Sequence, residues 1–328
     1  MPPKPSCVPL TATTAGRDET AEPIHLGLVG VGKIARDQHL PAIASNQSFC
    51  LVAAASRHGS VAEVANFEDL ERMIGGTPNL AAVALCAPPN VRAAMAREAI
   101  AAKLHVILEK PPGMTVSEVT DLTARVRQHG TTLFASWHSR EAAGVQHARD
   151  WLSTRAVTSV RIRWLEDVRE WHPGQEWIWQ AGGFGVFDAG INALSILTHI
   201  LPEPLVMTAA QLSFPANRDT PMCAELTLTH GDNAVVEASF SFCHSGVPCW
   251  DIDVQTTSGL LCLMGGGSRL TIDDNVVAVP PSTEYPNLYR RFAALIHSGQ
   301  SDVDDSPLRL VADAFLCGRR TEVEPFLF

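Results

Sequence analysis

From Ile24 onward the chain alternates two textures. Short unbroken apolar runs (IHLGLVG, FCLVAAAS, AAVALCA, HVILE, TTLFASW) are separated by segments whose apolar residues recur at helical spacing: VGKIARDQHL, the stretch around FEDLERMI, NVRAAMAREAIAAK, and a segment opened by the capping-box pair Thr115 and Glu118. Strands that alternate with helices imply a parallel, doubly wound sheet, and their continuous apolar character fits burial on both faces. Pro41 is expected to kink or restart the first helix. This α/β unit is expected over residues 23–140.

Beyond a helix at EAAGVQHARDWLS the period changes to two. TSVRIRWLEDV, LVMTAAQLSF, AELTLTH, AVVEASFSF, WDIDVQTT and GLLCLM read as strands that are polar on one side, with turns such as His230-Gly231-Asp232-Asn233 between them. An α+β domain over 141–328 follows, with an open, mostly antiparallel sheet, a helix at 188–201 packed on one face and a last amphipathic helix at PLRLVADAFLCGRR. Residues 1–22 are rich in Pro, Thr and charge, with neither an apolar core nor a twin arginine. They read as a disordered tail rather than a signal.

A length of 328 residues agrees with two domains, since one hydrophobic core stops growing near ~250 to 300. The net charge of -10, without a basic cluster, argues against nucleic acid or an anionic membrane as partner. No apolar run approaches the ~18 to 20 residues of a membrane span. The eight cysteines are scattered, without CxxC pairs or metal-type spacing, and read as reduced thiols of a cytoplasmic protein that holds no metal; Cys243 and Cys249, closest in sequence, are assigned to chance.

Chemistry concentrates at strand ends. Gly30-Val31-Gly32-Lys33-Ile34-Ala35 is G-x-G-x-x-A between the first strand and its helix, a turn whose glycines let backbone approach a pyrophosphate that the helix N-terminus stabilises. The second strand ends in Ser56-Arg57 where an NAD-preferring site usually carries an acid. A hydroxyl and a guanidinium favour a 2′-phosphate, so NADP is expected, with NAD also accepted. Cys86-Ala87-Pro88 and Glu109-Lys110-Pro111-Pro112 follow the third and fourth strands, where ligands bind in open α/β sheets. In GVFDAGINALS, Asp188 and Asn192 stand four apart on an otherwise apolar helix, with Ser195 and His199 continuing that face. Capping by Asp188 is the competing explanation. Tryptophans crowd residues 164–179, and sugars present apolar C–H faces that pack on such rings, although core packing accounts for at least half of them.

With these residues the chain resembles the Gfo/Idh/MocA oxidoreductases from Ile24 to near its end, on the strength of GVGKIA, the EKPP segment and the Asp-x-x-x-Asn helix. Within that family, HLPAI, CAPPNVR, LFASWHSR and EDVREWHPGQEWIW are similar to enzymes that oxidise C1 of L-arabinose and D-galactose pyranoses to lactones. The resemblance implies that residues 23–140 form a Rossmann domain and that the Lys110-Pro111 bond is cis. It assigns the cofactor to Gly30, Gly32, Lys33, Ile34, Ser56, Arg57, Ala87, Pro88, Glu109 and Lys110, catalysis to Asp188, Lys110 and Asn192, and the sugar to His138, Trp171, His172, Asp188 and Asn192. The family's helix commonly carries His where Asn192 stands. A neutral amide is no base, which leaves proton removal to Asp188 or Lys110. An oxidoreductase on another aldose or an inositol remains an alternative, as does a non-catalytic NADP-binding regulator, and a homodimer is possible.

Overall fold

The computed structural model describes residues 22–231, 234–281 and 283–327. All but the last residue of the expected tail, and Asp232 and Asn233 of the expected turn, lie outside them. The first sheet is parallel, with order β3-β2-β1-β4-β5-β6. Its strands are β1 (Ile24–Val29), β2 (Phe49–Ala55), β3 (Ala65–Phe67), β4 (Ala82–Leu85), β5 (His105–Leu108) and β6 (Leu133–Ala135). Strand order reverses beside β1, so the carboxyl ends of β1 and β4 bound a crevice. After β1 the helix opens as a wide turn, Ala35–His39, that runs into Leu40–Ala44 without a break. That wide turn gives room to the Pro41 ring, which carries no N–H and would crowd the carbonyl one regular turn back.

The second sheet has nine strands in the order β14-β13-β12-β11-β7-β10-β9-β8-β15. They are β7 (Val157–Leu165), β8 (Leu205–Pro215), β9 (Cys223–His230), β10 (Ala234–Ser241), β11 (Cys249–Thr256), β12 (Gly259–Met264), β13 (Arg269–Ile272), β14 (Asn275–Val277) and β15 (Arg319–Val323). Only β7 with β10 and β8 with β15 pair in parallel. Strict alternation of buried and exposed residues along β9 and β10 leaves one face to solvent. The other face is covered by helix Phe187–Ile200, whose Ile191, Leu194 and Leu197 are fully buried.

The last helix ends at Cys317, and Arg319 and Arg320, expected within it, instead open the edge strand β15. A further helix, Glu284–Ser298, carries Tyr285, Leu288, Tyr289 and Phe292 at helical spacing and returns to the first sheet. There it packs on Leu26, Leu28, Phe49 and Phe134, with Phe292 stacked 5.7 Å from the Phe49 ring. Asp302 then pairs beside Phe134 at that sheet's edge. Part of the segment assigned to the second domain from sequence thus completes the first.

Helix Phe187–Ile200 lies close against β10 because Gly190 faces Phe240, and a Cβ there would stand 2.6 Å from the ring. Gly190→Ala must push the helix off the sheet, so it should lower stability by about 1 to 3 kcal/mol. Urea unfolding midpoints of the two proteins check this, and an unchanged midpoint would show that the contact yields freely.

Candidate active site

The nucleotide end of the first sheet is built on close backbone approach. Gly30 has φ +90°, and a Cβ on it would lie 2.8 Å from the Ala87 nitrogen, whereas a Cβ on Gly32 would meet nothing within 4 Å. The first glycine therefore packs β1 against the β4 loop and the second faces open space, an arrangement that admits a dinucleotide at the helix start. Ile34, Arg57 and Pro88 are exposed around it and Ser56 is half-buried, with the Ser56 hydroxyl accepting the His58 N–H. Lys33 pairs with Asp37 on the exposed side of the helix.

Two buried charged groups hold the loop after β5. Arg92, 3% exposed, donates to the carbonyls of Ala87, Glu109 and Pro111, so one guanidinium ties together the ends of β4 and β5. Glu109 turns inward. One carboxylate oxygen accepts from His39 Nε2 at 2.9 Å and Tyr285 Oη at 2.7 Å, and the other accepts the Lys110 N–H at 2.8 Å. Its carboxylate oxygens are thus committed inside the protein. His39 and Tyr285 were not anticipated, because nothing in their local patterns distinguishes them from ordinary helix residues. Burial opposes charge on both Glu109 and His39. The His39 and Tyr285 hydrogen bonds nevertheless hold Glu109 far below the usual carboxylate range, and Cys86, Tyr289 and Glu109 raise His39 well above the usual imidazole value.

Because neighbouring side chains in extended backbone point to opposite sides, Lys110 faces the other way from Glu109. The Lys110-Pro111 bond is cis, as expected. Lys110 Nζ donates to the Asp188 carbonyl at 2.7 Å and to Asp188 Oδ1 at 3.1 Å, a contact between the first sheet and the helix of the second. Asp188 is 5% exposed and makes no capping bond, so its place in an apolar helix is explained by this ion pair. Burial pushes the Asp188 carboxyl up, but Lys110 and then His172 more than offset this and hold it below the usual range.

His172 Nδ1 stands 3.7 Å from Asp188 Oδ2, and its Nε2 is 3.0 Å from Glu166 Oε1. The other Glu166 oxygen accepts the Trp250 indole N–H at 2.8 Å. Lys110, Asp188, His172, Glu166 and Trp250 thus form one polar chain across the cleft. Glu166 and Trp250 escaped sequence reasoning, since Glu166 follows the end of β7 and Trp250 sits within β11, where both read as ordinary sheet residues. Trp171 is 41% exposed and meets the Trp250 ring edge-on at 4.8 Å, while Trp164 and Trp179 belong to the core. Asn192, half-buried, lies one turn beyond Asp188, and among the described residues its amide has no hydrogen-bond partner.

The rest of the expected stripe does not join this cleft. Ser195 is fully buried and bonds the Asn192 carbonyl, and His199 lines a separate cavity with Arg140, Arg149 and Arg291, where burial and then Arg140 push it down to about 4. His138 is held by Glu284 at 2.7 Å and stacks on Tyr285, so the histidine that reaches Asp188 is His172.

Residues 24–136 match the oxidoreductase family Gfo/Idh/MocA, with its NAD-binding Rossmann fold. A galactose 1-dehydrogenase of Pseudomonas fluorescens is 44% identical over 93% of this chain and 99% of its own. The chain belongs to the Gfo/Idh/MocA oxidoreductase family. It is therefore an enzyme of an oxidoreductase family. A crystal structure of D-galactose-1-dehydrogenase from Rhizobium etli has 51% identity and a TM-score of 0.91, covering 95% of this chain and 100% of that one. The 3-ketoreductase KijD10 of Actinomadura kijaniata, in complex with NADP and TDP-benzene, matches with a TM-score of 0.81 over 92% of this chain and 99% of its own, at 20% identity, and so shares the fold. No helix of the described residues is long and apolar enough to cross a membrane.

The buried His39–Glu109 pair has a pH signature. His39 is raised, so its contribution is complete below the unfolded value of ~6.5 and is lost as pH rises through its folded value. Glu109 is depressed, so its contribution is complete above the unfolded ~4.3 and is lost as pH falls through its folded value. Together they act fully between these limits. His39→Gln should therefore remove part of the stability loss on the alkaline side, measured as thermal midpoints from about pH 6 to about 9. Parallel curves for the two proteins would show that His39 is not charged in the fold.

Proposed function

We propose that the chain is an NAD(P)-dependent aldose 1-dehydrogenase that oxidises C1 of D-galactose and L-arabinose pyranoses to the lactone. The observation that carries this is the Lys110–Asp188 ion pair, which sets a cation and a carboxylate side by side between the nucleotide crevice and the second sheet. The relationship to two galactose 1-dehydrogenases supports the substrate class.

The turn at Gly30 and Gly32 would hold the pyrophosphate, with Lys33, Ile34, Ala87 and Pro88 around it, and Ser56 and Arg57 would hydrogen-bond a 2′-phosphate, which favours NADP while admitting NAD. When bound, the nicotinamide supplies the acceptor for the hydrogen that leaves C1. Lys110 stabilises the developing charge on the C1 oxygen, and Asp188 takes its proton. A carboxylate held below its usual range keeps a proton poorly, and His172 Nδ1 beside its other oxygen is the next acceptor. Glu166 fixes the His172 ring through Nε2, Asn192 hydrogen-bonds the sugar, and the exposed Trp171 ring covers an apolar face of it. Glu109 and Arg92 act as positioning residues for Lys110.

Asp188→Asn and Lys110→Met should each lower kcat by about 10² or more with folding and NADP affinity nearly unchanged. Steady-state kinetics beside fluorescence titration of the cofactor check this. Retained turnover in Asp188→Asn would transfer the base role to Lys110.

D-Galactose and L-arabinose share their ring hydroxyl arrangement and differ at C5, whereas D-glucose is inverted at C4. Sites that hydrogen-bond a hydroxyl reject the wrong analogue by up to ~10⁴, while one extra small group shifts preference by only ~10 to 200-fold. Both galactose and arabinose should therefore have kcat/KM values far above that of glucose, in a panel run with NADP and with NAD that includes an inositol. Glucose equal to galactose would overturn the substrate assignment, and an acid-free profile favouring NAD would overturn the role of Arg57.

A further inference from the structure

Outside the cleft, a pair of thiols meets at the end of a ladder. Cys223 opens β9 opposite Ser241 in β10, and Cys243 follows two residues later. Cys223 and Cys243 converge on one hydroxyl: Ser241 Oγ lies 3.5 Å from Cys223 Sγ and accepts the Cys243 N–H at 3.1 Å. Cys243 is exposed at the wall of a hollow of about 470 Å³ that also touches Arg169, Met222 and residues 323–327. Solvent and small solutes therefore reach one sulfur, and the other is half-buried beside it.

The segment that carries these thiols also holds the cleft. Glu166 N–H donates to the Ser241 carbonyl at 2.9 Å, Val168 N–H to Phe242 at 3.1 Å, and His244 N–H to the Glu166 carbonyl at 3.1 Å, while Asp167 bridges Cys243. The Phe242 ring packs 5.4 Å from that of His172. Residues 241–244 are thus the backbone support of the Glu166 carboxylate that orients His172.

We propose that Cys223 and Cys243 are an oxidisable dithiol, converted by a hydroperoxide into an intramolecular disulfide that displaces the Glu166 segment and slows turnover. The Cys223 thiolate attacks one oxygen of hydrogen peroxide, the O–O bond breaks, a sulfenic acid forms, and the other oxygen leaves as hydroxide that takes a proton from solvent to become water. Cys243 then attacks that sulfur, and its proton leaves with the sulfenic oxygen as a second water. Each sulfur loses one electron and the peroxide gains both. The neighbouring Cys243 thiol, against burial and with help from the Ser241 hydroxyl and Phe242 N–H, lowers the Cys223 thiol below its ordinary range. The thiolate is the form that reacts.

Geometry supplies the coupling. Disulfides hold their Cα atoms about 5.5 to 6 Å apart, so closure fixes residue 243, which also bridges Asp167, to the start of β9. The modification stands by itself, while its effect on turnover rests on the sugar-dehydrogenase assignment above.

The test exposes full-length protein to stoichiometric hydrogen peroxide, maps peptides without reduction, and assays galactose oxidation before treatment, after it, and after dithiothreitol. A linked peptide joining Cys223 to Cys243, lighter by two hydrogens, is expected, with kcat lower by about tenfold or more and restored by the reductant, the scale of a small misplacement near a reacting group. Cys243→Ser should keep its untreated kcat and lose the peroxide response. Absence of the linked peptide from folded wild-type protein overturns the proposal whether or not any sugar is oxidised. A linked peptide with unchanged kcat overturns the coupling to Glu166, as does an undiminished peroxide response in Cys243→Ser.

Discussion

Everything at the cleft depends on where the backbone of residues 109–111 is held, and that is decided by buried charge. Arg92 reaches three carbonyls at once from the helix beginning at Pro89, and Glu109 spends both oxygens on His39, Tyr285 and the Lys110 N–H. Buried charges without partners would be costly, and here every partner is at hydrogen-bond distance. The loop cannot move without breaking several such bonds. Lys110, whose side chain alone must face the cleft, inherits a fixed origin.

The second half answers with a surface fixed in the same manner but by packing. Gly190 brings helix Phe187–Ile200 against Phe240, and the turn before it is closed by Gly185 N–H on the Ile178 carbonyl. Asp188 therefore projects from an apolar helix that has no other way to lie. The polar chain from Lys110 to Trp250 is then a seam between two rigid bodies: hydrogen bonds hold one side and van der Waals contact holds the other.

Sequence periodicity revealed the parallel sheet, the open sheet and Asp188, because strand burial and a lone carboxylate in an apolar helix each leave a local mark. GVGKIA and EKPP were legible for the same reason, being short segments whose backbone demands are met within a few residues. What stayed hidden depends on distance. His39, Tyr285, Glu166 and Trp250 acquire their roles from partners tens to hundreds of residues away, and the inward direction of the Glu109 carboxylate depends on two of them. Helix Glu284–Ser298 carried a readable apolar stripe, with Pro286 in its first turn where proline is tolerated. Its attachment to the first sheet had no local sign at all.

That attachment gives the molecule an order of assembly. Leu26, Leu28 and Phe49 lie on a face of the first sheet that Ala42 and Ile43 cover only in part until Tyr289 and Phe292 arrive, and Glu109 lacks its Tyr285 partner until then. During synthesis the amino-terminal half is made first and finished last. A chain leaving the ribosome carries a nearly complete nucleotide-binding sheet with an oily flank, through the time needed to make more than a hundred further residues. The Glu109 carboxylate beside Lys110 gains the last of its partners, Tyr285, only when the chain is almost whole.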